Sequence, residues 1–276
     1  MEKRIGFIGI GEMGFPMVRN LLKAGYKVNA YDSREEPLSE IKKYGAVIAR
    51  SPKEVAQSSK TIICMVRTAD QLVAVFSGKE GILEGANPDA IVIIMSTVEP
   101  RVVQELSGLA RAKGIKVLDA PVSGAKQGAE QATLSIMAGG LSSTYEACRP
   151  IFEALGKNIY YFGDIGMGEV AKLVNNHLVL VNMLAVYEAF NLAQVAGVKM
   201  DVLLEMIKVS TGNSWVIEHW DLVKSWKEES ERVPLPGTKF RDIKTLYKDI
   251  QIMLNCARDL NVPLQLAGLS SQSGWD

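Results

Sequence analysis

The stretch IGFIGIGEMG, from Ile5 to Gly14, decides the fold. It opens with a short apolar run typical of a buried strand, and its glycines have the spacing G-x-G-x-x-G. A helical pattern over Met13–Ala24 follows, and then a second apolar run, Val28–Tyr31. This second run ends in Asp32, 18 residues after Gly14. The arrangement of strand, glycine turn, helix, strand and acid is the fingerprint of a dinucleotide-binding unit.

Each part of this fingerprint has a physical reason. Gly9 permits a tight turn, Gly11 lets the backbone approach a pyrophosphate, and Gly14 allows close packing of helix on strand. The helix N-terminus offers N–H groups to the phosphates. Asp32 can accept hydrogen bonds from ribose hydroxyls. The alternative is a glycine-rich turn followed by a surface aspartate.

The same region bears on the choice between NAD and NADP. The carboxylate of Asp32 would repel a 2′-phosphate, which favours NAD. Arg34 lies two residues away and could pair with that phosphate, so NADP stays open as the second choice.

The pattern of strands and helices predicts an α/β protein of two domains. Short apolar runs alternate with helical stretches through residues 1–163, which predicts a Rossmann-type open parallel sheet covered on both faces. We predict the strands at Ile5–Ile8, Val28–Tyr31, Thr61–Val66, Ala90–Met95, Ile115–Leu118 and Leu134–Met137. No strand is predicted after Tyr161, so residues 164–276 form an all-helical second domain. Its helices are predicted at Glu169–Ala196, where an apolar and therefore buried helix is expected, and at Asp201–Val209, Trp215–Lys227 and Asp242–Asp259.

The composition of the chain argues against several classes of function. Lys plus Arg and Asp plus Glu both number 31, and without a basic excess we expect no nucleic-acid partner. Three cysteines without C-x-x-C spacing and two histidines predict neither a disulfide framework nor a metal site. The most apolar segment, Leu178–Val186, contains Asn182, so no membrane span is expected. A cytoplasmic protein fits these features.

Two later segments carry candidate chemistry. Ser123 ends the sequence DAPVS after a predicted strand, where it and the following N–H groups could hold a carboxylate; a plain turn is the alternative. Lys172 and Asn176 lie four residues apart, on one face of an apolar helix, with Asn175 beside them. A buried lysine can serve as a general acid or base, whereas a lysine reaching solvent would be structural. The pair Lys248-Asp249, taken alone, is interpreted as a surface ion pair.

Taken together, the motifs resemble those of the β-hydroxyacid dehydrogenases, from Ile5 to about Leu269. The resemblance rests on the glycine fingerprint and on four later motifs. These are Ser96-Thr97-Val98-x-Pro100, Asp119-Ala-Pro-Val-Ser123-Gly124, Gly168-x-x-x-Lys172-x-x-Asn175-Asn176, and Lys248-Asp249.

The resemblance implies roles for particular residues. Lys172 would be the catalytic acid and base, and Ser123 with Gly124 would hold the substrate carboxylate. Asn176 would orient the substrate, and Trp215 falls in a segment where members carry pocket residues. The residues expected to contact the cofactor are Gly9, Gly11, Glu12, Met13, Gly14, Asp32, Met65, Val66, Thr97 and Lys248. The implied reaction is NAD-linked interconversion of a small 3-hydroxy acid and its semialdehyde or keto acid, in a homodimer or homotetramer built through the helical domain.

The chain also departs from the family pattern. Ala125 and Ala132 stand where members usually have glycine, and each adds a methyl group near the carboxylate loop. Members commonly carry a further helical stretch after the position of Gln272, so we expect the last helix to be truncated here.

Three alternatives remain. A 6-phosphogluconate dehydrogenase uses related motifs but needs a larger helical domain. Imine reductases share the architecture but usually lack the lysine at 172. A catalytically silent NAD-binding module is the third, and its relatives have also lost this lysine.

Overall fold

The computed structural model describes residues 4–225 and 243–272. The chain divides into two compact units, Met1–Lys172 and Leu173–Asp276, and the division falls within one long helix.

The first unit contains a nine-stranded sheet. Its strands are β1 (Arg4–Ile8), β2 (Lys27–Tyr31), β3 (Val47–Ile48), β4 (Thr61–Cys64), β5 (Ile91–Ile94), β6 (Lys116–Asp119), β7 (Val122–Ser123), β8 (Leu134–Gly140) and β9 (Gly156–Tyr161). All six predicted strands are present. The structure adds β3, β7 and β9, which the sequence pattern did not predict.

Besides a short 3₁₀ helix at Ile82–Glu84, seven complete α-helices accompany this sheet in the described part of the first unit. They are α1 (Gly14–Lys23), α2 (Glu35–Lys42), α3 (Pro52–Gln57), α4 (Ala69–Ser77), α5 (Pro100–Arg111), α6 (Ala125–Gln131) and α7 (Ser142–Glu153). The predicted start of α3 is confirmed in detail, because the Ser51 hydroxyl accepts the Glu54 N–H and Pro52 occupies the first turn.

The strand order is β3-β2-β1-β4-β5-β6-β8-β7, with β9 paired to β8. The first six strands of this order are parallel, as predicted. β8, however, is antiparallel to β6 and β7, so the sheet is mostly rather than wholly parallel. An apolar run predicts that a strand is buried but not which way it points.

The order also creates a topological switch point beside β1. From β1 the chain moves outward to β2 and β3, and then crosses back to place β4 on the other side of β1. Ligands of open α/β sheets bind beside the carboxyl ends of strands at such a switch point. The glycine turn follows β1 at this edge.

The sheet is buried on both faces. Phe7 belongs to a core cluster on one face together with Met17 of α1, whereas its neighbour Ile8 packs with Leu72 of α4 on the other face. Successive residues of a strand point to opposite faces, so both clusters draw on the same strands.

In the second unit the described residues form helices and connecting turns. The helices are α8 (Met167–Val195, which begins in the first unit), α9 (Met200–Lys208), α10 (Trp215–Glu218), α11 (Ile243–Asp259) and α12 (Gln265–Gln272). The predicted helix over 215–227 is interrupted at His219 and resumes at 220–225; residues 226, 227 and 242 of the predicted helices lie outside the described part.

The prediction that α8 is buried holds along one side only. Its exposed side carries Val174, Leu178, Leu192 and Val195, which are 57–81% exposed. By length and composition α8 could cross a membrane, in spite of the polar residues that led us to expect otherwise. A single such helix is weak support for a membrane span, because core helices of soluble proteins pass the same test.

Candidate functional site

Two glycines of the turn are required by the packing of the chain itself. Gly9 has a φ of +97°, and a Cβ there would lie 2.3 Å from the carbonyl oxygen of Met65. A Cβ on Gly14 would lie 1.9 Å from the carbonyl oxygen of Gly9. Both positions are therefore closed to any side chain, as the fingerprint predicts.

Gly11 is different. A Cβ built there would meet only the Arg34 guanidinium, at 3.8 Å. The chain's own packing therefore does not explain this glycine, and the space beside it is open. An open backbone surface at the start of α1 fits the pyrophosphate of a dinucleotide, which needs close approach to the backbone and the N–H groups of a helix start. Glu12 and Met13 continue the turn, Glu12 exposed and Met13 half-buried.

Asp32 is joined to the glycine turn. Its side chain is 7% exposed, its Oδ2 accepts the N–H of Ile10 at 2.8 Å, and its Oδ1 accepts the N–H of Arg34 at 2.9 Å. The Arg34 guanidinium adds two contacts, Nε to Oδ1 at 3.0 Å and Nη2 to Oδ2 at 3.2 Å. Burial raises the pKa of Asp32, but the hydrogen bonds from Arg34 and Ile10 outweigh it, and the pKa lies below its usual range.

The remaining candidate cofactor contacts of the first unit lie at the same sheet edge. Met65 and Val66 follow the end of β4, and Thr97 follows β5, the adjacent parallel strand. The Ser96 hydroxyl accepts the N–H of Val66 at 2.8 Å and so joins the two loops. The structure therefore groups the predicted residues of this unit along the carboxyl ends of β1, β2, β4 and β5.

Ser123 and Gly124 lie at the antiparallel margin of the sheet. Ser123 ends β7, opposite Ser135 of β8, and Gly124 precedes α6 with a φ of +133°. The two departures from the family pattern follow, because Ala125 and Ala132 have φ values of +51° and +54°. Both alanines adopt the left-handed conformation that favours glycine, so they change backbone energy as well as adding methyl groups.

Asp119 has a role that the sequence did not predict. It is fully buried, and its two carboxylate oxygens accept the N–H groups of Gly166 and Glu169, each at 2.8 Å. Burial raises the pKa of Asp119 despite these bonds. The acid thus caps the first turn of α8, the helix that carries Lys172. Its contacts are therefore structural, with backbone N–H groups of the helix start.

Lys172 and Asn176 are both buried, 9% and 8% exposed. They lie one helical turn apart on α8, which confirms the predicted shared face. Asn175 is less buried, and its Nδ2 lies 3.4 Å from Oδ1 of Asn176. A lysine this buried differs from one that reaches solvent, because burial disfavours its charge unless partners stabilise it.

The interpretation of Lys248-Asp249 as a surface ion pair is wrong. Asp249 is 5% exposed, and its Oδ2 accepts the Nδ2 of Asn176 at 2.8 Å. Its Oδ1 lies 3.1 Å from Nζ of Lys248, whose side chain is 27% exposed. Because a carboxylate only accepts hydrogen bonds, Asp249 fixes which way the Asn176 amide faces. Asp249 is therefore a buried partner of the candidate residue Asn176, a contact that the sequence analysis did not predict.

Trp215 opens α10 and is 45% exposed. Its ring stacks on His219 with centroids 4.4 Å apart, and Nδ1 of His219 lies 3.0 Å from the Trp215 carbonyl oxygen. Within the described ranges no cluster of His, Cys, Asp or Glu is arranged to hold a metal ion.

Comparison with known proteins agrees with this geometry. Residues 4–163 match the model of the NAD-binding domain of 6-phosphogluconate dehydrogenase. Residues 166–273 match the model described as NAD-binding of NADP-dependent 3-hydroxyisobutyrate dehydrogenase.

Individual relatives extend over most of the chain. A 2-(hydroxymethyl)glutarate dehydrogenase of Eubacterium barkeri is 34% identical over 274 residues, which is 99% of this chain and 89% of the relative. An NAD-dependent L-serine dehydrogenase of Pseudomonas aeruginosa is 37% identical and covers 84% of this chain and 77% of its own. The solved 3-hydroxyisobutyrate dehydrogenase of Mycobacterium tuberculosis, in a structure with L-serine, has a TM-score of 0.84 at 29% identity, covering 98% and 92%.

Proposed function

Because the chain belongs to the β-hydroxyacid dehydrogenase family and is an NAD(P)-dependent hydroxyacid dehydrogenase, we propose that Lys172 is its general acid and base. The reaction we propose interconverts a small 3-hydroxy acid and its semialdehyde or keto acid. Domain boundaries at 1–163 and 164–276, a cofactor domain and a substrate domain, are part of the proposal.

The burial of Lys172 is the observation that carries this assignment. An ordinary surface lysine stays protonated at neutral pH, whereas a buried one is open to tuning by its surroundings. Lys172 lies on the first part of α8, whose start is held by Asp119, and one turn before Asn176, whose amide is held by Asp249. A proton-transferring group needs this kind of fixed position.

In the oxidation direction, Ser123 and the Gly124 N–H would hold the substrate carboxylate, and Asn176 would orient the reacting hydroxyl. Lys172 would take the hydroxyl proton on Nζ, and in reduction it would return that proton to the carbonyl oxygen. Asn175 and Trp215 would line the substrate pocket. Bound NAD⁺ supplies the hydride acceptor.

We expect NAD to be preferred over NADP. The open backbone at Gly11 would receive the pyrophosphate, and Asp32 would receive the ribose hydroxyls. Arg34, the group that could bind a 2′-phosphate, is instead hydrogen-bonded to Asp32 by its guanidinium. Glu12, Met13, Met65, Val66, Thr97 and Lys248 are the further contacts that we propose.

The alternatives fit less well. Neither an imine reductase nor a catalytically silent NAD-binding module assigns a role to a buried lysine at position 172.

The test is turnover followed by NADH absorbance. NAD⁺ would be offered with 3-hydroxyisobutyrate, glycerate, L-serine, 3-hydroxypropionate, 2-(hydroxymethyl)glutarate and, as an expected non-substrate, 6-phosphogluconate. With an active acid, Lys172→Ala should lose about 10²- to 10⁴-fold in kcat while keeping its affinity for NADH. Lys157→Ala, at an exposed lysine of β9, is the matched control and should keep full activity. Near-full activity of Lys172→Ala would refute the assignment.

We also propose that the protein is a cytoplasmic homodimer or homotetramer. Its second unit leaves Val174, Leu178, Leu192 and Val195 exposed on α8, and packing against a second copy would remove this apolar surface from water. Light scattering in detergent-free buffer should give at least twice the 30.1 kDa chain mass. A monomer under those conditions would contradict this part of the proposal.

A further inference from the structure

Glu169 is a fully buried acid in the first turn of α8, three residues before Lys172. Its backbone N–H donates to Oδ2 of Asp119 at 2.8 Å. Its side chain points elsewhere, because Oε2 accepts the N–H of Val98 at 3.3 Å. The function proposed above does not use this residue.

The Val98 N–H belongs to the loop between β5 and α5, next to Thr97, which we propose contacts the cofactor. Ser96 of this loop holds the N–H of Val66. Val98 and Ser96 are both buried. The loop is thus attached on one side to the end of β4 and on the other to the first turn of α8, and the second attachment is the Glu169 carboxylate.

The start of α8 has little freedom of its own. A Cβ on Gly168 would lie 2.1 Å from the carbonyl oxygen of Met137 in β8 and 2.8 Å from Oδ2 of Asp119. The helix start therefore packs directly against the sheet, and Asp119 holds its N–H groups. The Glu169 contact adds to these anchors a hydrogen bond that joins the helix start to the Val98 N–H.

Burying a carboxylate is costly unless it is hydrogen-bonded and paired. An apolar side chain of similar size would fill the same space without that cost. The acid is therefore best explained by the group that its carboxylate holds. Here Oε2 holds the Val98 N–H of the loop beside Thr97, and both residues lie in the first unit.

We propose that Glu169 is a positioning residue, which fixes the loop containing Thr97 and Val98 relative to the helical turn that carries Lys172. In the reaction proposed above, on which this inference rests, one side of the reacting carbon faces the hydride acceptor and its oxygen faces Lys172. Glu169 sets the distance between the loop beside the hydride acceptor and the helical turn that carries Lys172. Hydride and proton transfer are both sensitive to such distances.

Two conservative variants of Glu169 separate the effect of side-chain length from the effect of its negative charge. Glu169→Gln keeps the length of the side chain and an oxygen acceptor but removes the charge. Glu169→Asp keeps the charge but shortens the side chain by one methylene, so the Val98 N–H moves out of range. Positioning predicts that Glu169→Gln stays within about 5-fold of wild-type kcat and that Glu169→Asp loses at least about 10-fold, in each case with NADH affinity and the KM for the acid little changed.

The matched control is Glu105, an exposed acid on α5, the helix that follows the same loop. Glu105→Asp and Glu105→Gln should both match wild type. The reverse order at position 169, with Asp better than Gln, would assign a purely electrostatic role and overturn the proposal. Wild-type kcat in both Glu169 variants would overturn it as well.

A second measurement needs neither substrate nor cofactor. Amide hydrogen exchange of the free protein should show the Val98 N–H exchanging at least about 10-fold faster in Glu169→Asp than in wild type and Glu169→Gln. Unchanged exchange in Glu169→Asp would refute the contact. Because this readout is independent of turnover, a wild type inactive on every acid would refute the proposed function while leaving the Glu169 contact decided by exchange.

Discussion

Replacing Ala132 by glycine is expected to stabilise the first unit. Ala132 ends α6 with φ +54° and ψ 42°. The N–H of Thr133 reaches back to the carbonyl oxygen of Gly128 at 2.9 Å, which is the bond that closes a helix through a left-handed residue. The helix end therefore requires a positive φ at 132, a conformation in which alanine is strained.

The size of the effect is a difference of two terms. The left-handed conformation costs an L-residue about 1–2 kcal/mol, and glycine removes that cost. Glycine also loses more backbone conformational entropy on folding than alanine, which lowers the free energy of unfolding by about 0.4–1 kcal/mol. The net expectation is a gain of about 0.8 kcal/mol in the free energy of unfolding.

Ala112 provides the matched control. It also ends a helix, α5, and is exposed, but its φ of −61° is right-handed. The same change to glycine should there lower the free energy of unfolding by about 0.5–1 kcal/mol. Urea unfolding of both variants and wild type measures the two signs directly. Equal destabilisation by both changes would show that the positive φ at Ala132 is not strained, and the reasoning would fail.

Further expectations follow from the buried acids. Asp32→Ser should release Arg34 and raise kcat/KM with NADP⁺ relative to NAD⁺ by about 10- to 100-fold, the range of one charge-assisted hydrogen bond; steady-state rates with both cofactors measure it, and an unchanged ratio would contradict it. The pKa of Asp32 is lowered by folding, so its contribution to stability is present above its unfolded pKa of about 3.9 and is lost as pH falls through the folded value. Urea titrations between pH 5 and 2 should therefore show that the free energy of unfolding falls more steeply with pH in wild type than in Asp32→Asn. Equal pH dependence in the two proteins would count against a lowered pKa of Asp32. Asp249→Leu should lower kcat about 10- to 100-fold by freeing the Asn176 amide, with Asp249→Asn intermediate; full activity in Asp249→Leu would separate Asn176 from catalysis.

The glycine fingerprint could be predicted because its constraints act over short distances in the chain. Gly9 and Gly14 are excluded from carrying side chains by contacts with the turn and its neighbouring strand, and Asp32 bonds to Ile10 only 22 residues away. Buried strands are equally visible, since burial on both faces requires nearly unbroken apolar runs.

The missed elements have weaker patterns. β3 and β7 are two residues long, and β9 is exposed at most positions, so neither length nor apolar character marks them. The direction of β8 depends on which neighbours it meets in the finished sheet. The exposed side of α8 was missed because an apolar helix predicts burial without stating by what.

The buried acids whose contacts the sequence analysis missed have distant partners. Asp119 bonds to Glu169 across 50 residues, Glu169 to Val98 across 71, and Asp249 to Asn176 across 73. No spacing rule connects such pairs. The family resemblance brought Asp119 and Asp249 into motifs but did not say what they hold, and Asp249 was interpreted as part of a surface ion pair.

These three acids share a property that stability does not explain. Each is at most 5% exposed, and buried acids with their partners are often no more stable than apolar side chains of similar volume. Each acid instead fixes the position or orientation of a hydrogen-bonding partner. Asp119 holds N–H groups of the α8 start, and Glu169 holds the N–H of Val98. Asp249 holds the Asn176 amide in one orientation. Apolar packing would leave these groups free to shift by fractions of an ångström. Hydride and proton transfer in a dehydrogenase depend strongly on such distances, so shifts of this size would slow the reaction. The same shifts would change the free energy of unfolding very little.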